Sequence, residues 1–369
     1  MLKVKASVLK ESLNQLSVIY KPTTIVPQDV YCLFESDGEK LKIRYANAES
    51  EMIVWVSDVE IDAPFKGLVH YSKLRTSIGL MNGDVKFSFT DSRITLSDGS
   101  KTSRITLPDM SKMMYYSEHV LPTGTTVTVD GTEFITGLNA VKDCAANKSK
   151  ALYSYLESCL FDFKSGYLTF VAMTAKMMAT YKTSTQCSYD KDVLVPMEII
   201  QSVSKWKDVD NVVLTFDENR ITFQTPNLKL STVLLEGQFP NWKKLFEELP
   251  EQWAEIHRED LLSALKFSTS VSSVDKSPVM DVHLVEEDGV LKVKTYSMHN
   301  DTTETVVRAE TFQGLKVALT GPDIAKLADG CLGYVHLGYT PNVSSGRFFI
   351  DSDDENYHAV IAGLQFRNS

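Results

Sequence analysis

Pairs of apolar residues four apart open three stretches of the chain: Leu9 and Leu13, Phe134 and Leu138, Leu261 and Leu265. Each spacing puts both side chains on one face of a helix, so the pattern predicts three amphipathic helices, with Leu9, Phe134 and Leu261 separated by 125 and 127 residues. A hairpin with a glycine-containing turn follows each helix, at Gly38 before Leu41 and Ile43, at Gly166 before Leu168, and at Gly289 before Leu291 and Val293. Leu74 and Ile78, Ile199 and Val203, and Ile324 and Ala328 mark a second helix in each third, and Pro196 and Pro322 stand where two of these helices begin. Strict alternation then predicts strands through Val85, Phe87 and Phe89, through Val212, Leu214 and Phe216, and through Val335, Leu337 and Tyr339. Each strand runs into another that opens on an arginine, and Arg93, Arg220 and Arg347 are 127 and 127 residues apart.

The period predicts an α+β fold of three tandem domains, each with two helices on antiparallel sheet. Boundaries fall in turn-rich or polar sequence at Leu121-Pro122-Thr123-Gly124 and Glu247-Glu248-Leu249-Pro250, giving domains 1–121, 122–248 and 249–369. Solenoid units are shorter, about 20 to 50 residues, and share one core, whereas units of this length can each hold their own. Sheet edges at the two ends of such an array invite pairing with a second copy, and a closed ring is the natural product.

Composition narrows the chemistry. The 38 Lys and Arg against 48 Asp and Glu leave a net charge of −10, so the whole molecule repels polyanions and any contact with them needs local basic faces. Five cysteines without CxxC spacing read as small core residues in a reducing compartment. No segment has the length of apolar sequence that a spanning helix needs, and the expected location is cytoplasmic with no membrane partner. No phosphate loop, HExxH, GxSxG or paired-cysteine pattern is present, so neither a catalytic residue, a cofactor nor a metal is expected. Asp351, Asp353, Asp354 and Glu355 lack the spaced glycine and glutamate of a calcium loop and read as a solvated hairpin turn.

One stretch is more specific. Leu234-Leu235-Glu236-Gly237-Gln238-Phe239-Pro240-Asn241-Trp242 resembles the L-x-x-G-x-F-P-D-Y segment of the bacterial DNA polymerase III beta subunit, the beta sliding clamp. The strands around Cys159-Leu160-Phe161-Asp162-Phe163 and Leu168-Thr169-Phe170-Val171-Ala172 are similar to that family's central hairpin, and Ala359 to Leu364 resembles its hydrophobic tail. The chain departs from the family where T-D-G-H-R-L is replaced by Met173-Thr174-Ala175-Lys176-Met177-Met178, and its tail lacks the usual proline.

The resemblance implies a non-enzymatic, head-to-tail dimeric ring whose twelve helices line a channel around duplex DNA. Helices about 9 Å apart would leave an opening of roughly 24 Å. It implies sequence-independent contact with phosphate through Lys10, Lys21, Lys73, Arg75, Lys142, Lys148, Lys150, Lys205 and Lys326. An apolar pocket of Leu156, Met173, Ala175, Lys176, Met178, Pro240, Lys244, Leu245, Val360, Ile361 and Leu364 would receive linear peptides of the replicative DNA polymerase and the clamp loader. The ring would close where the edge strand carrying Arg104, Ile105 and Leu107 meets Val271, Glu304 and Val306 of a second copy. A clamp-like scaffold that binds proteins without encircling DNA is the alternative.

Overall fold

The computed structural model describes all residues except 1, 22–25, 37, 114, 146–152, 275–280, 297–301, 312, 341–345 and 365–369. Six α-helices occur among the described residues: α1 Ala6–Leu16, α2 Tyr71–Gly79, α3 Gly131–Val141, α4 Met197–Val203, α5 Arg258–Val274 and α6 Gly321–Gly330. Their starts keep the sequence period, with Ala6, Gly131 and Arg258 separated by 125 and 127 residues, and Tyr71, Met197 and Gly321 by 126 and 124.

Local sequence explains each helix. α1 buries Ala6, Leu9, Ser12, Leu13 and Leu16 along one stripe, and α5 buries Leu261, Ala264, Leu265 and Ser268 in the same way. Asp130 caps α3, its carboxylate accepting the Glu133 backbone N–H at 2.9 Å. Pro322 sits in the first turn of α6, where its missing N–H is not needed. Gly137 lets α3 press onto the sheet, since a Cβ there would lie 2.6 Å from the Tyr181 ring and 2.7 Å from that of Phe170. The third hairpin turns through Asp288 and Gly289 with φ of 56° and 80°, the two positive values a tight two-residue turn requires.

All described strand pairing between the long strands is antiparallel, and the chain forms two compact units. The first contains Met1–Val129 and Val209–Leu234. Its five-stranded sheet runs in the order Val59–Ile61, Leu2–Lys5, Asp84–Thr90, Arg93–Ser97, Thr102–Thr106. Its eight-stranded sheet joins strands that are far apart in the chain, Leu228–Val233 pairing with Ser50–Val56 in the register Leu230 to Met52, and the Ser50 and Thr232 hydroxyls meet at 2.9 Å. The second unit contains Asp130–Asp208 and Leu235–Ser369. A nine-stranded sheet dominates it, with Ser158–Asp162, Tyr167–Met173, Met177–Gln186, Tyr357–Ala362 and Arg347–Ser352 as neighbours near its centre, and a four-stranded sheet ends on Thr302–Val307. These two units are a different partition from the three thirds of the repeat, because the sheets pair strands across the expected boundaries. No helix among the described residues is long and apolar enough to cross a membrane.

Candidate functional site

The nine-stranded sheet of the second unit has one face packed on helices, and on the other a compact apolar cluster. Pleating sends alternate residues to opposite faces, and the register aligns Leu160 with Val171, Met173 with Met178, Met178 with Val360, and Val360 with Phe349 on the face away from Phe170 and Tyr181. Leu160, Val171, Met178, Leu194, Phe239, Phe349 and Val360 form a buried floor, while Tyr155, Met173, Leu235, Trp242, Leu245 and Phe246 pack on it only partly covered. Full burial of each floor side chain is worth about 1.5–3 kcal/mol, so the floor is a stable platform and the rim holds apolar area still open to cover.

Segment 235–246 supplies most of that rim and is fixed by hydrogen bonds. The Leu235 N–H donates to the Leu194 carbonyl at 2.9 Å, the Phe239 N–H to the Asp192 carboxylate at 2.8 Å, and the Trp242 indole N–H to the Asp162 carboxylate at 2.9 Å. A 3-10 helix, Trp242–Phe246, then places Trp242 and Phe246 beside each other with ring centroids 6.2 Å apart. Arg347 anchors its end, donating to the Leu245 carbonyl at 3.3 Å and to the Glu248 carboxylate at 3.0 Å.

The expected pocket residues separate into groups. Met173 and Leu245 stand on the rim, and Met178 and Val360 lie in the floor. Leu156 is half-buried on the 3-10 helix Ser154–Glu157. Ala175 and Lys176 occupy an exposed turn tied to the C-terminal strand by the Ala362 N–H, which donates to the Lys176 carbonyl at 2.7 Å. Pro240 and Lys244 are exposed on segment 235–246, and Leu364 is half-buried with its N–H on the Ala318 carbonyl at 2.8 Å. Ile361 pairs with Met177 and therefore points to the helix side of the sheet, opposite Val360.

The basic residues lie on or beside helices. In the first unit, Lys21, Lys73 and Arg75 are exposed and Lys10 is half-buried. The Lys10 ammonium donates to the Met81 carbonyl at 2.8 Å and Arg75 to the Asn14 side-chain oxygen at 3.1 Å. In the second unit, Lys205 and Lys326 are exposed and Lys142 donates to the Asn139 side chain at 2.5 Å. Lys10, Lys73, Arg75, Lys142, Lys205 and Lys326 have no carboxylate partner among the described residues, so their charge is not cancelled locally. Lys148 and Lys150 lie outside the described residues.

Both expected edge strands are sheet edges. Thr102–Thr106 ends the five-stranded sheet and Thr302–Val307 the four-stranded one, each with an unpaired backbone side. Ile105 turns inward at 4 % exposure, paired with Ile94, so the edge offers its backbone and the exposed Arg104, with Leu107 half-buried beyond it. On the other edge strand Val306 is 59 % exposed and Glu304 forms an ion pair with Lys292 at 3.3 Å, and on α5 Phe267 is 52 % and Val271 38 % exposed.

Solved structures share this architecture over its whole length. The beta subunit from the DNA polymerase of Streptococcus pyogenes superposes with a TM-score of 0.85 at 14% identity over 99% of this chain and 100% of that one, and the Pseudomonas aeruginosa DNA polymerase III subunit beta with 0.82 at 16% over 99% and 100%. The fold is that of a beta sliding clamp. Residues 128–241 match the family described as DNA polymerase III beta subunit, central domain. Curated relatives named beta sliding clamp include that of Chlamydia muridarum, 26% identical over 126 residues, and that of Treponema pallidum, 27% identical over 166 residues. The matches cover 33% and 43% of this chain and 34% and 44% of those relatives, so the chain aligns with less than half the length of either.

Within the beta-clamp fold, the pocket expected from sequence left out Tyr155, Leu235, Trp242 and Phe246, which pack on the rim, and the expected edge left out Lys266 and Phe267, exposed on α5. Trp242 and Phe246 did carry a signal, since an aromatic pair four apart inside a polar stretch is a one-sided apolar face. Among the described residues no group of His, Cys, Asp or Glu is arranged to hold a metal, and the five cysteines are free thiols.

Proposed function

We propose that this chain is a DNA sliding clamp, a non-enzymatic processivity factor of the cytoplasm that encircles duplex DNA and tethers the replicative polymerase, the clamp loader and other DNA-processing proteins through linear peptides. The observation that carries this reading is the superposition of the entire chain on beta-subunit structures, together with the half-covered apolar cluster around Met173, Met178, Leu245 and Val360. Three clamp domains, 1–121, 122–248 and 249–369, would be doubled into a head-to-tail ring by addition of the Thr102–Thr106 edge to the Thr302–Val307 edge of a second copy. Lys10, Lys21, Lys73, Arg75, Lys142, Lys148, Lys150, Lys205 and Lys326 would meet phosphate at the ring's inner wall, without reading bases. Weak attraction suits sliding, since retention is topological and the net charge of −10 discourages adhesion elsewhere.

Peptide capture supplies the tether. Aliphatic or aromatic anchors inserted between Met173, Leu245 and Trp242 would cover the open rim, with Leu156, Ala175, Lys176, Pro240, Lys244 and Leu364 framing the entrance.

The test is retention on nicked circular DNA after incubation with a clamp loader. A clamp stays bound through a high-salt wash and escapes once the circle is cut, and its solution mass is twice 41.3 kDa. The net negative charge favours one other reading, a protein scaffold that does not encircle DNA; release by salt from intact circles, with a persistent monomer, would establish that instead.

A further inference from the structure

The sequence holds one Asn-Gly pair, Asn82-Gly83, in the turn that leads from α2 into the strand Asp84–Thr90. Both residues are exposed, and Gly83 stands at a φ of 61°. The main chain around the pair is gripped. The Lys10 ammonium donates to the Met81 carbonyl at 2.8 Å, the Ala6 N–H to the Gly83 carbonyl at 2.8 Å, and the Asn82 N–H to the Asp98 carboxylate at 3.1 Å. Between those grips two groups are free: among the described residues the Asn82 carboxamide and the Gly83 N–H have no hydrogen-bond partner. No atom beyond the chain neighbours lies within 4 Å of where a Cβ would stand on Gly83, so the space beside the glycine is open and it carries no side chain to shield its nitrogen.

A second pair, on the neighbouring hairpin turn, shows the opposite arrangement. In Asp98-Gly99 the glycine is also exposed, at a φ of 90°, but both reacting groups are taken. The Asp98 carboxylate accepts the Ser100 N–H at 3.0 Å, the Ser100 hydroxyl at 2.9 Å and the Lys101 N–H at 2.7 Å besides that of Asn82, and the Gly99 N–H donates to the Ser97 hydroxyl at 3.3 Å. The Lys101 backbone N–H and then that of Asn82 hold the Asp98 carboxyl well below the usual carboxylate range, so it stays an anion, a poor target for a nitrogen nucleophile.

We infer that Asn82 is a site of spontaneous deamidation in the folded chain. The Gly83 amide nitrogen gives its proton to solvent and bonds to Asn82 Cγ, the Cγ–Nδ2 bond breaks and ammonia leaves, closing a five-membered succinimide. Water then opens the ring at either carbonyl. Breaking the bond to Cγ leaves aspartate, and breaking the bond to the main-chain carbonyl leaves isoaspartate, with the chain rerouted through Cγ. Either product sets a new anion one residue from the carbonyl that Lys10 grips, and so brings an acidic neighbour to a cation with no carboxylate partner among the described residues. The inference goes beyond the clamp reading and requires neither DNA nor a partner.

The test is incubation of the full-length chain in ¹⁸O-water at neutral pH, folded and in urea, with ¹⁸O and isoaspartate read residue by residue by mass spectrometry. At position 82 the folded chain is expected to convert within about threefold of the rate in urea, since neither reacting group has a bond to give up. At Asp98 folding should slow the same ring closure by at least about tenfold, because its hydrogen bonds must be released first. Asn82→Gln, whose ring would have six members, keeps a neutral amide on an exposed position and should take up no ¹⁸O there while the urea midpoint stays unchanged. Conversion at position 82 only in urea, equal slowing of both sites by folding, or ¹⁸O uptake by Asn82→Gln at the parent's rate, the mark of direct hydrolysis, would each overturn the inference.

Discussion

The two units carry the same hairpin with opposite chemistry on its outer face. Cys32-Leu33-Phe34 in the first unit repeats as Cys159-Leu160-Phe161 in the second, yet Leu33 pairs with Arg44 where Leu160 pairs with Val171. Arg44 is 3 % exposed and its guanidinium meets the fully buried Glu51 carboxylate at 2.5 Å. The same guanidinium donates to the carbonyls of Tyr116 at 2.7 Å and Ser117 at 2.5 Å, and the Ala46 N–H donates to the Tyr115 hydroxyl at 3.2 Å. Segment 115–118 is thereby strapped onto the face by the unit's own charges. The cavity of about 500 Å³ beside it mixes Glu35, Lys42, Arg44, Lys66 and Glu118 with Leu33, Met110, Met113 and two tyrosines, so charged groups share a wall that is apolar throughout in the cluster of the second unit. In the second unit the covering segment rests on aliphatic and aromatic groups and stops short of closure. A charged face is satisfied by a few directed hydrogen bonds and then complete, whereas an apolar face left partly wet keeps its driving force for a partner.

The largest effect should come from breaking the strap. Glu51→Ala strands Arg44 in a buried site and is expected to cost about 3–5 kcal/mol in urea unfolding, with Arg44→Leu added to it recovering most of the loss. A loss under about 1 kcal/mol would mean the pair is solvated and the contrast overstated. Met178→Ala, in the floor of the second unit, removes packing without exposing charge and should cost about 2–4 kcal/mol by the same assay. If it were silent, the cluster would be a loose surface rather than a platform. Trp242→Phe keeps the ring but leaves the buried Asp162 oxygen without its indole donor, an expected loss of about 1–2 kcal/mol together with faster amide exchange in segment 235–246.

The smallest effect, and the finest separation of the units, is their response to pH. His119, beside Arg220 in the first unit, is held below its ordinary value by burial and then by that guanidinium. The neutral ring is therefore favoured on folding, and destabilisation sets in as pH falls below about 6.5. His358 in the second unit is raised by its hydrogen bond to Asp351, against opposing burial. Its contribution is complete below about 6.5 and lost as pH rises through the raised value. Acidification from pH 8 should thus weaken protection near His119 and strengthen it near His358 in hydrogen exchange; movement in the same direction at both would contradict these assignments.

Much of the fold was legible because its signals are local. Leu9 with Leu13 and Leu261 with Leu265 mark helices through their spacing alone, and Asp288-Gly289 can hardly be anything but a hairpin turn. What could not be read is which strand edges meet, since the pairing of Leu228–Val233 with Ser50–Val56 joins segments nearly half the chain apart and leaves no trace in either. Strand parity was equally hidden: Val360 and Ile361 look alike in sequence, and only the register with Met178 and Met177 sends one outward and the other to the helices. Nothing in the sequence around Arg44 and Glu51 announces the segment that covers them.

Phe349 is at once floor of the apolar cluster and wall of a cavity of about 480 Å³ beside it, and a shared wall is a thermodynamic linkage. If a ligand on one side rotates or immobilises that ring, its affinity is altered by whatever occupies the other side, and the alteration is reciprocal in free energy. Two tenants of this sheet face would then help or hinder each other without touching.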